Sequence, residues 1–426
     1  MTAVHKVLLV DPGKVSESWY AFREMPSLAL GCLGTYLSRR GYEVRIVDMA
    51  TYKINSTGLK REILNFKPDL VGITAATFNI LSAYEAARAA KEVDPNIFVV
   101  LGGPHATALP EYTLKECSAL DAVVAGEGED ALEQLCKNPR RGVVRGVEIA
   151  DLNQLPLVDW TLFDYSKFKK LYSILFATEL HKYTVSIVRG CPFNCKFCFK
   201  LLNDPPRTRS AENVFAEITQ NYERFGAKFL YFSDSTLLIY KENVHRLCRL
   251  IIESGLKLAL IVQSRADTID AKSVDLLQRA GCETFFVGVE SGNEELLKRS
   301  GKQITKDQVR SAVKLIHSAG IPRIRCSFII GLDGDTRESI RETTAFAREL
   351  KEYGMNRASV HCLDLYPKTE YWNMVERGEG SLQVRTHLYD WSIYSRMYPM
   401  ASCGDISIAE LKELRDFARE PFEEEI

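Results

Sequence analysis

Between residues 5 and 362 the chain alternates short, mainly apolar runs with amphipathic segments, and it breaks that rhythm once, over residues 147–180. Strands that are apolar nearly throughout must be covered on both faces, which points to parallel sheets wrapped by helices. In the first stretch the runs are Val7–Val10, Val44–Val47, Leu70–Ile73, Phe98–Leu101 and Ala122–Val124. Helix-like segments lie between them, among them Leu28–Arg39, Leu81–Val93 and Asp130–Leu135. Residues 1–146 are therefore expected to form an α/β domain with a doubly wound, Rossmann-like parallel sheet.

The break contains Asp151-Leu-Asn-Gln-Leu-Pro156, a turn-rich stretch with a proline stop, followed by an irregular aromatic segment. Residues 147–180 are accordingly read as a linker. Alternation then resumes with strand candidates Thr184–Val188, Phe229–Phe232, Leu258–Val262, Thr284–Val287, Arg325–Ile330 and Ala358–Cys362. Helix candidates between them are Ala211–Phe225, Glu242–Glu253, Ala271–Ala280, Lys306–Ser318 and Glu338–Glu352. Six β/α units over residues 181–370 fit a partial (β/α)6 barrel better than a closed eightfold one. Residues 371–426 form a short C-terminal segment, aromatic at first and then acidic and helical.

Net charge is −1, so no global field favours nucleic acid or an anionic membrane. No stretch reaches the roughly 18 apolar residues of a spanning helix. The opening MTAVHKVLLVDPG lacks the pattern of a signal peptide, and the expected location is cytoplasmic. Eleven cysteines, an odd number in a chain of this kind, argue against a disulfide framework. Eight are scattered singly, for example Cys32, Cys117, Cys248 and Cys282, and read as small buried hydrophobes.

The remaining three stand together in Ser186-Ile-Val-Arg-Gly-Cys191-Pro-Phe-Asn-Cys195-Lys-Phe-Cys198-Phe199, directly after a predicted strand. In a parallel barrel, loops after strands carry the active site. A loop this compact can wrap three thiolates around three irons of a cubane cluster and leave the fourth iron open. The competing reading is a structural zinc knuckle, but zinc takes four closed ligands and no fourth Cys or His is near in sequence. His181 precedes the strand, and the next histidine downstream is His245.

The CxxxCxxC loop resembles that of the radical S-adenosylmethionine superfamily, and the resemblance extends over about residues 184–370. It implies a [4Fe–4S] cluster on Cys191, Cys195 and Cys198, with S-adenosylmethionine chelated to the open iron. By the same resemblance, Phe197 lies beside the adenine. Asp234, in Tyr231-Phe-Ser-Asp-Ser-Thr236, accepts the cofactor's ammonium with support from Ser233 and Ser235. Arg265, in Gln263-Ser-Arg-Ala-Asp267, meets its carboxylate, and Glu290, in Val287-Gly-Val-Glu-Ser-Gly-Asn293, contacts ribose or amine. Ile329 in Ile329-Ile-Gly-Leu332 and Tyr366 in Leu365-Tyr-Pro-Lys-Thr369 match later adenine-contacting strands. Taken singly, a strand-end aspartate is as readily a helix cap, and Arg265 with Glu290 a structural ion pair.

In the first domain, Leu101-Gly-Gly-Pro-His-Ala-Thr107 and Ala125-Gly-Glu-Gly-Glu129 each follow a predicted strand, where doubly wound sheets bind ligands. These loops, with Met25-Pro-Ser-Leu-Ala-Leu-Gly-Cys-Leu-Gly-Thr-Tyr-Leu37 and Gly41-Tyr-Glu-Val44, resemble those of radical enzymes that carry a cobalamin-binding domain. The resemblance implies cobalamin contacts at Gly102, Gly103, His105, Thr107, Gly126, Glu127 and Gly128, and at Thr77, Phe78 and Asn79 below the corrin. The Asp-x-His-x-x-Gly loop that places histidine on cobalt is absent. Its absence leaves cobalamin open, since the resembling enzymes commonly lack it. Thr77–Asn79 read equally well as a helix start with Asn79 as cap, and His105 as a loop histidine bonded to backbone.

The family likeness implies a cobalamin-dependent radical methyltransferase acting on an unactivated carbon or on phosphinate phosphorus. A 5′-deoxyadenosyl radical would abstract a substrate hydrogen and methylcobalamin would donate the methyl group. The alternatives are a radical enzyme of the same build doing cyclisation, oxidation, C–C coupling or sulfur transfer, and a cobalamin or redox sensor. Expected partners are a small-molecule or peptide substrate and an external electron donor such as flavodoxin or ferredoxin, with no nucleic acid and no membrane span. The aromatic stretch Asp390-Trp-Ser-Ile-Tyr394 and Arg396-Met-Tyr398 reads as packing around the barrel mouth or as substrate contact.

Overall fold

A computed structural model describes residues 4–13, 25–164, 166–167, 182–200, 205–394 and 398–422. Most of the second half of the expected linker, His181 and Arg396–Met397 lie outside the described residues. Contacts divide the chain into two units, residues 1–184 with 223–227, and residues 185–222 with 228–426. Among the described residues no helix is long and apolar enough to cross a membrane.

The first unit holds strands β1 (Lys6–Asp11), β2 (Glu43–Asp48), β3 (Leu70–Thr74), β4 (Phe98–Gly102), β5 (Ala122–Ala125) and β6 (Gly142–Arg145). They form one parallel sheet in the order β2-β1-β3-β4-β5-β6. The five apolar runs read from the sequence are its first five strands. β6 escapes such a reading, because it is a four-residue edge strand with a half-buried face. Its helices are α1 (Leu28–Ser38), α2 (Ser56–Phe66), α3 (Ile80–Val93), the short α4 (Pro104–Ala108) and α5 (Pro110–Glu116), and α6 (Glu129–Lys137). Strand order reverses between β1 and β3, and the carboxyl ends of strands beside such a reversal form a ligand crevice.

Residues 152–163 do not behave as a free linker. Val158 and Trp160 pack over Gly31 of α1, where an added Cβ would stand 2.8 Å from Val158 Cγ1. Trp160 is completely buried. The Asp159 amide donates to Thr35 Oγ1 at 2.8 Å, and Phe163 bridges to Ile46 of β2. Small residues at 31 and 34 open a groove along α1, and the aromatic stretch fills it because that buries apolar area.

The second sheet contains β7 (Lys182–Val185), β10 (Phe229–Phe232), β11 (Ala259–Arg265), β12 (Cys282–Glu290), β13 (Arg323–Ile330) and β14 (Arg357–Cys362), with the two-residue strands β8 (Val188–Arg189) and β9 (Arg207–Thr208) pairing separately. The order β14-β13-β12-β11-β10-β7 is sequential and unclosed, as expected of a partial barrel. Its main helices are α7 (Ala211–Phe225), α8 (Lys241–Ser254), α9 (Ala271–Arg279), α10 (Glu294–Arg299), α11 (Lys306–Ser318), α12 (Arg337–Glu352), α13 (Glu370–Glu376) and α14 (Ile408–Arg419). Alternate residues such as Val262, Phe285 and Phe328 are fully buried, while Gln263, Phe286, Arg325 and Ser327 on the other face are half-exposed. The single strand expected over Thr184–Val188 is split into β7 and β8. The break falls where the Asp234 carboxylate accepts hydrogen bonds from the amides of Ile187 and Val188.

Candidate active site

The candidate residues of the second unit fall at the carboxyl ends of its strands: Asp234 just past β10, Arg265 ending β11, Glu290 ending β12 and Ile329 near the end of β13. The cysteine loop is fastened from three sides. Cys198 N donates to Cys195 O at 3.0 Å, and Lys196 N to Ser300 O at 2.8 Å. Tyr371 N, in α13, donates to Lys196 O at 3.1 Å. Gly301 lets the loop come this close, since a Cβ there would stand 2.5 Å from Asn194 O, and its φ of +75° suits glycine.

Arg265 is 5% exposed and fully engaged. Its Nε and Nη2 form a fork onto Asp267, both at 3.0 Å, and Nη2 also donates to Lys302 O at 2.6 Å. Nη1 reaches Cys195 Sγ at 3.6 Å, and the guanidinium lies 3.7 Å from the centroid of Phe193. The arginine expected at the cofactor carboxylate thus grips the cysteine loop. Glu290 pairs with Lys302 Nζ at 2.8 Å, and both are almost fully buried. Its backbone has a φ of +75°, uncommon for a residue with a Cβ and costing strain of order 1–3 kcal/mol.

Asp234 is 1% exposed. Its Oδ1 accepts from Ile187 N at 2.9 Å, from Val188 N and from Ser186 Oγ at 3.3 Å, which fixes the lead-in to Cys191. Its Oδ2 is buried with no hydrogen-bond partner. Burial raises the carboxyl to about 6, against the lowering by those amides. Phe197, Ile329 and Tyr366 are half-buried, and the Tyr366 hydroxyl donates to Asp364 Oδ2 at 3.2 Å.

Desolvation at the sulfur, then Cys195, Cys191 and Glu290, push the Cys198 thiol up to about 11, although the residue as a whole reaches the surface. Cys195 is also raised by burial, while Lys302 and then Arg265 pull it down. Three thiols on one short loop suit a cluster, in which each thiolate binds its own iron, better than a zinc knuckle, which takes four converging ligands. The iron charge would offset the cost of holding thiolates there. For S-adenosylmethionine, the orphaned Asp234 Oδ2 suits an incoming ammonium. Sequence reasoning passed over Lys302, Phe193 and Gly301. The only sequence signal for them was Ser300-Gly-Lys302, a polar turn that reads as solvated surface.

In the first unit, three loops at adjacent strand ends are tied together. His105 Nδ1 lies 3.1 Å from Thr77 Oγ1, which joins the loop after β4 to that after β3. Gly126 N donates to Thr107 Oγ1 at 3.0 Å, which joins the loop after β5 to α4. His105 is completely buried, and burial lowers its ring to about 3, so it is a neutral core residue turned away from solvent. Thr77 and Asn79 are also buried; Asn79 stands at the N-cap position of α3, but its Oδ1 accepts from Ala76 N at 2.9 Å and caps none of that helix's amides; Phe78 is half-buried. Glu127 Oε2 accepts from Ile149 N at 2.6 Å. Gly102, Gly103, Gly126 and Gly128 leave bare backbone along this rim, half-buried at each position. At Gly103, with φ +94°, a Cβ would meet Ala75 O and Thr74 Oγ1 at 2.8 Å. A flat ligand can lie against such a rim, and with His105 turned inward it fits cobalamin without a histidine on cobalt.

Residues 185–347 match the radical SAM superfamily, and residues 21–136 match the B12 binding domain. An uncharacterized methyltransferase of Pyrococcus horikoshii is 32% identical over 96% of this chain and 91% of its own. The anaerobic magnesium-protoporphyrin IX monomethyl ester cyclase of Cereibacter sphaeroides is 28% identical over 95% of this chain and 68% of its own. Among solved structures, the radical S-adenosylmethionine methyltransferase TsrM of Kitasatospora setae, with cobalamin and [4Fe–4S] cluster bound, superposes with a TM-score of 0.74 at 20% identity over 96% of this chain and 84% of that one. The cobalamin-dependent S-adenosylmethionine radical enzyme OxsB also gives 0.74, at 17% identity over 97% and 66%. At these identities the structures speak for the fold.

Proposed function

Because the chain belongs to the radical SAM superfamily, in the branch whose members open with a B12-binding domain, we propose that it is a cobalamin-dependent radical S-adenosylmethionine methyltransferase. The observation that carries this is the union in one chain of the three-thiol loop with the glycine-rimmed sheet, and the chain aligns almost end to end, at 32% identity, with a protein named an uncharacterized methyltransferase. Cys191, Cys195 and Cys198 would hold the cluster. Phe197, Asp234, Arg265, Glu290, Ile329 and Tyr366 would surround S-adenosylmethionine. Gly102, Gly103, His105, Thr107, Gly126, Glu127 and Gly128, with Thr77, Phe78 and Asn79, would carry the corrin.

When bound, the cluster and corrinoid supply reductive cleavage of the sulfonium and a transferable methyl group. The chain's own part is positioning. Asp234 Oδ1 anchors the backbone before Cys191, and Oδ2 awaits a donor. Arg265, locked by Asp267, holds Cys195 and Phe193 in place. His105 stiffens the corrin rim and stays uncharged at neutral pH. We infer a small-molecule or peptide substrate and a flavodoxin- or ferredoxin-type electron donor. Eleven free thiols suit a reducing, cytoplasmic setting.

Protein reconstituted with iron, sulfide and hydroxocobalamin should show corrin bands. On turnover with reductant it should yield both S-adenosylhomocysteine and 5′-deoxyadenosine. 5′-Deoxyadenosine without S-adenosylhomocysteine rejects methyl transfer. That result would favour the second reading, non-methylating radical chemistry, which the 28% identical cyclase supports.

A further inference from the structure

Lys302 has no place in the assignment above, yet the site is built around it. It is 5% exposed, and its Nζ lies 2.8 Å from Glu290 Oε1. Its carbonyl receives Arg265 Nη2 at 2.6 Å. Gly288 makes room for the pair, since a Cβ there would stand 2.9 Å from both Lys302 Nζ and Glu290 Oε1. Gly301, next to Lys302, is the residue the cysteine loop rests on. A buried ion pair is poor evidence for stability, because desolvation offsets its attraction. Its placement beside three thiols suggests another role. The turn that carries Lys302 is seated on the loop: Lys196 N donates to Ser300 O at 2.8 Å, and a Cβ on Gly301 would stand 3.7 Å from Cys195 Cα.

We propose that the Lys302–Glu290 pair is a positioning element that sets the reduction potential of the cluster, Lys302 stabilising the added electron and Glu290 opposing it. This rests on the cluster assignment made above. Reduction transfers one electron from the external donor to the cluster. Low dielectric around the buried pair makes its charges felt at the sulfurs, where an exposed lysine would be screened.

The test is a dithionite titration of reconstituted full-length protein without S-adenosylmethionine, followed by electron paramagnetic resonance. Lys302→Met should lower the ratio of reduced to oxidised cluster at fixed ambient potential by about tenfold, which is about 59 mV for a one-electron couple. Lys302→Arg should stay near the parent, and Glu290→Gln should move the opposite way. Unchanged potentials in Lys302→Met and Glu290→Gln, or shifts of the same sign, overturn the inference. If Lys302→Met fails to take up iron, Glu290→Gln decides alone, since it keeps the ammonium. A parent protein that binds no [4Fe–4S] cluster overturns instead the functional reading on which this rests.

Discussion

His105 shows how a residue picked out by sequence can do quieter work than its chemistry suggests. Its loop position invites a proton-transfer role, but the ring is completely buried and paired with Thr77 Oγ1. Burial holds the folded ring at about 3, below the unfolded value near 6.5. The stabilisation from keeping it neutral is therefore complete above pH 6.5 and fades as pH falls toward 3. Denaturant melts should show the parent losing about 2 kcal/mol between pH 8 and pH 5 that His105→Gln does not lose. Equal slopes would mean that the ring is protonated or exposed in the native state. Lys302 is the reverse case. A lysine in a Ser-Gly-Lys turn reads as solvated, and only the fold reveals its partner, Glu290, on another strand end. Asp234 was legible as a strand-end acid, but which backbone its Oδ1 would hold depends on β10 lying beside β7.

At the level of elements, mainly apolar strands were plain because parallel sheets demand them, and the sheet interiors follow the reading closely. Helices α7 and α11 begin and end where periodicity placed them. The misses have common physical grounds. β6 is a short edge strand without an apolar signature, and the break between β7 and β8 falls at amides bonded to the Asp234 carboxylate. Residues 152–163 look like a linker because their turn residues say nothing about the groove on α1 that they fill. The turn between α10 and α11 is where sequence and site meet most tightly. Gly301→Ala should strain a left-handed backbone and drive a methyl into Asn194 O, costing about 2 kcal/mol. Thermal melts should report that loss, and iron content after reconstitution should fall with it. A protein of parental stability and full iron content would show that the loop does not rest there.

Across the molecule, each cofactor reading draws on one unit alone: thiols in the second, bare-backbone loops in the first. Replacing Cys191, Cys195 and Cys198 together by alanine should abolish iron uptake while corrin bands persist after loading with hydroxocobalamin. Loss of both would contradict separate holding. The domain order, the three-cysteine loop and the glycine-bearing loops were all visible as local strings, whereas the substrate was not, because specificity lies in loops and terminal segments that periodicity leaves unread. The hydrogen bond from Tyr371 to Lys196 carries a consequence for biosynthesis. A ribosome finishes the cysteine loop long before it makes the helix that pins it. A chain made only as far as residue 330 would already carry the Asp234, Arg265 and Ser300 fastenings of that loop but would lack the one from Tyr371.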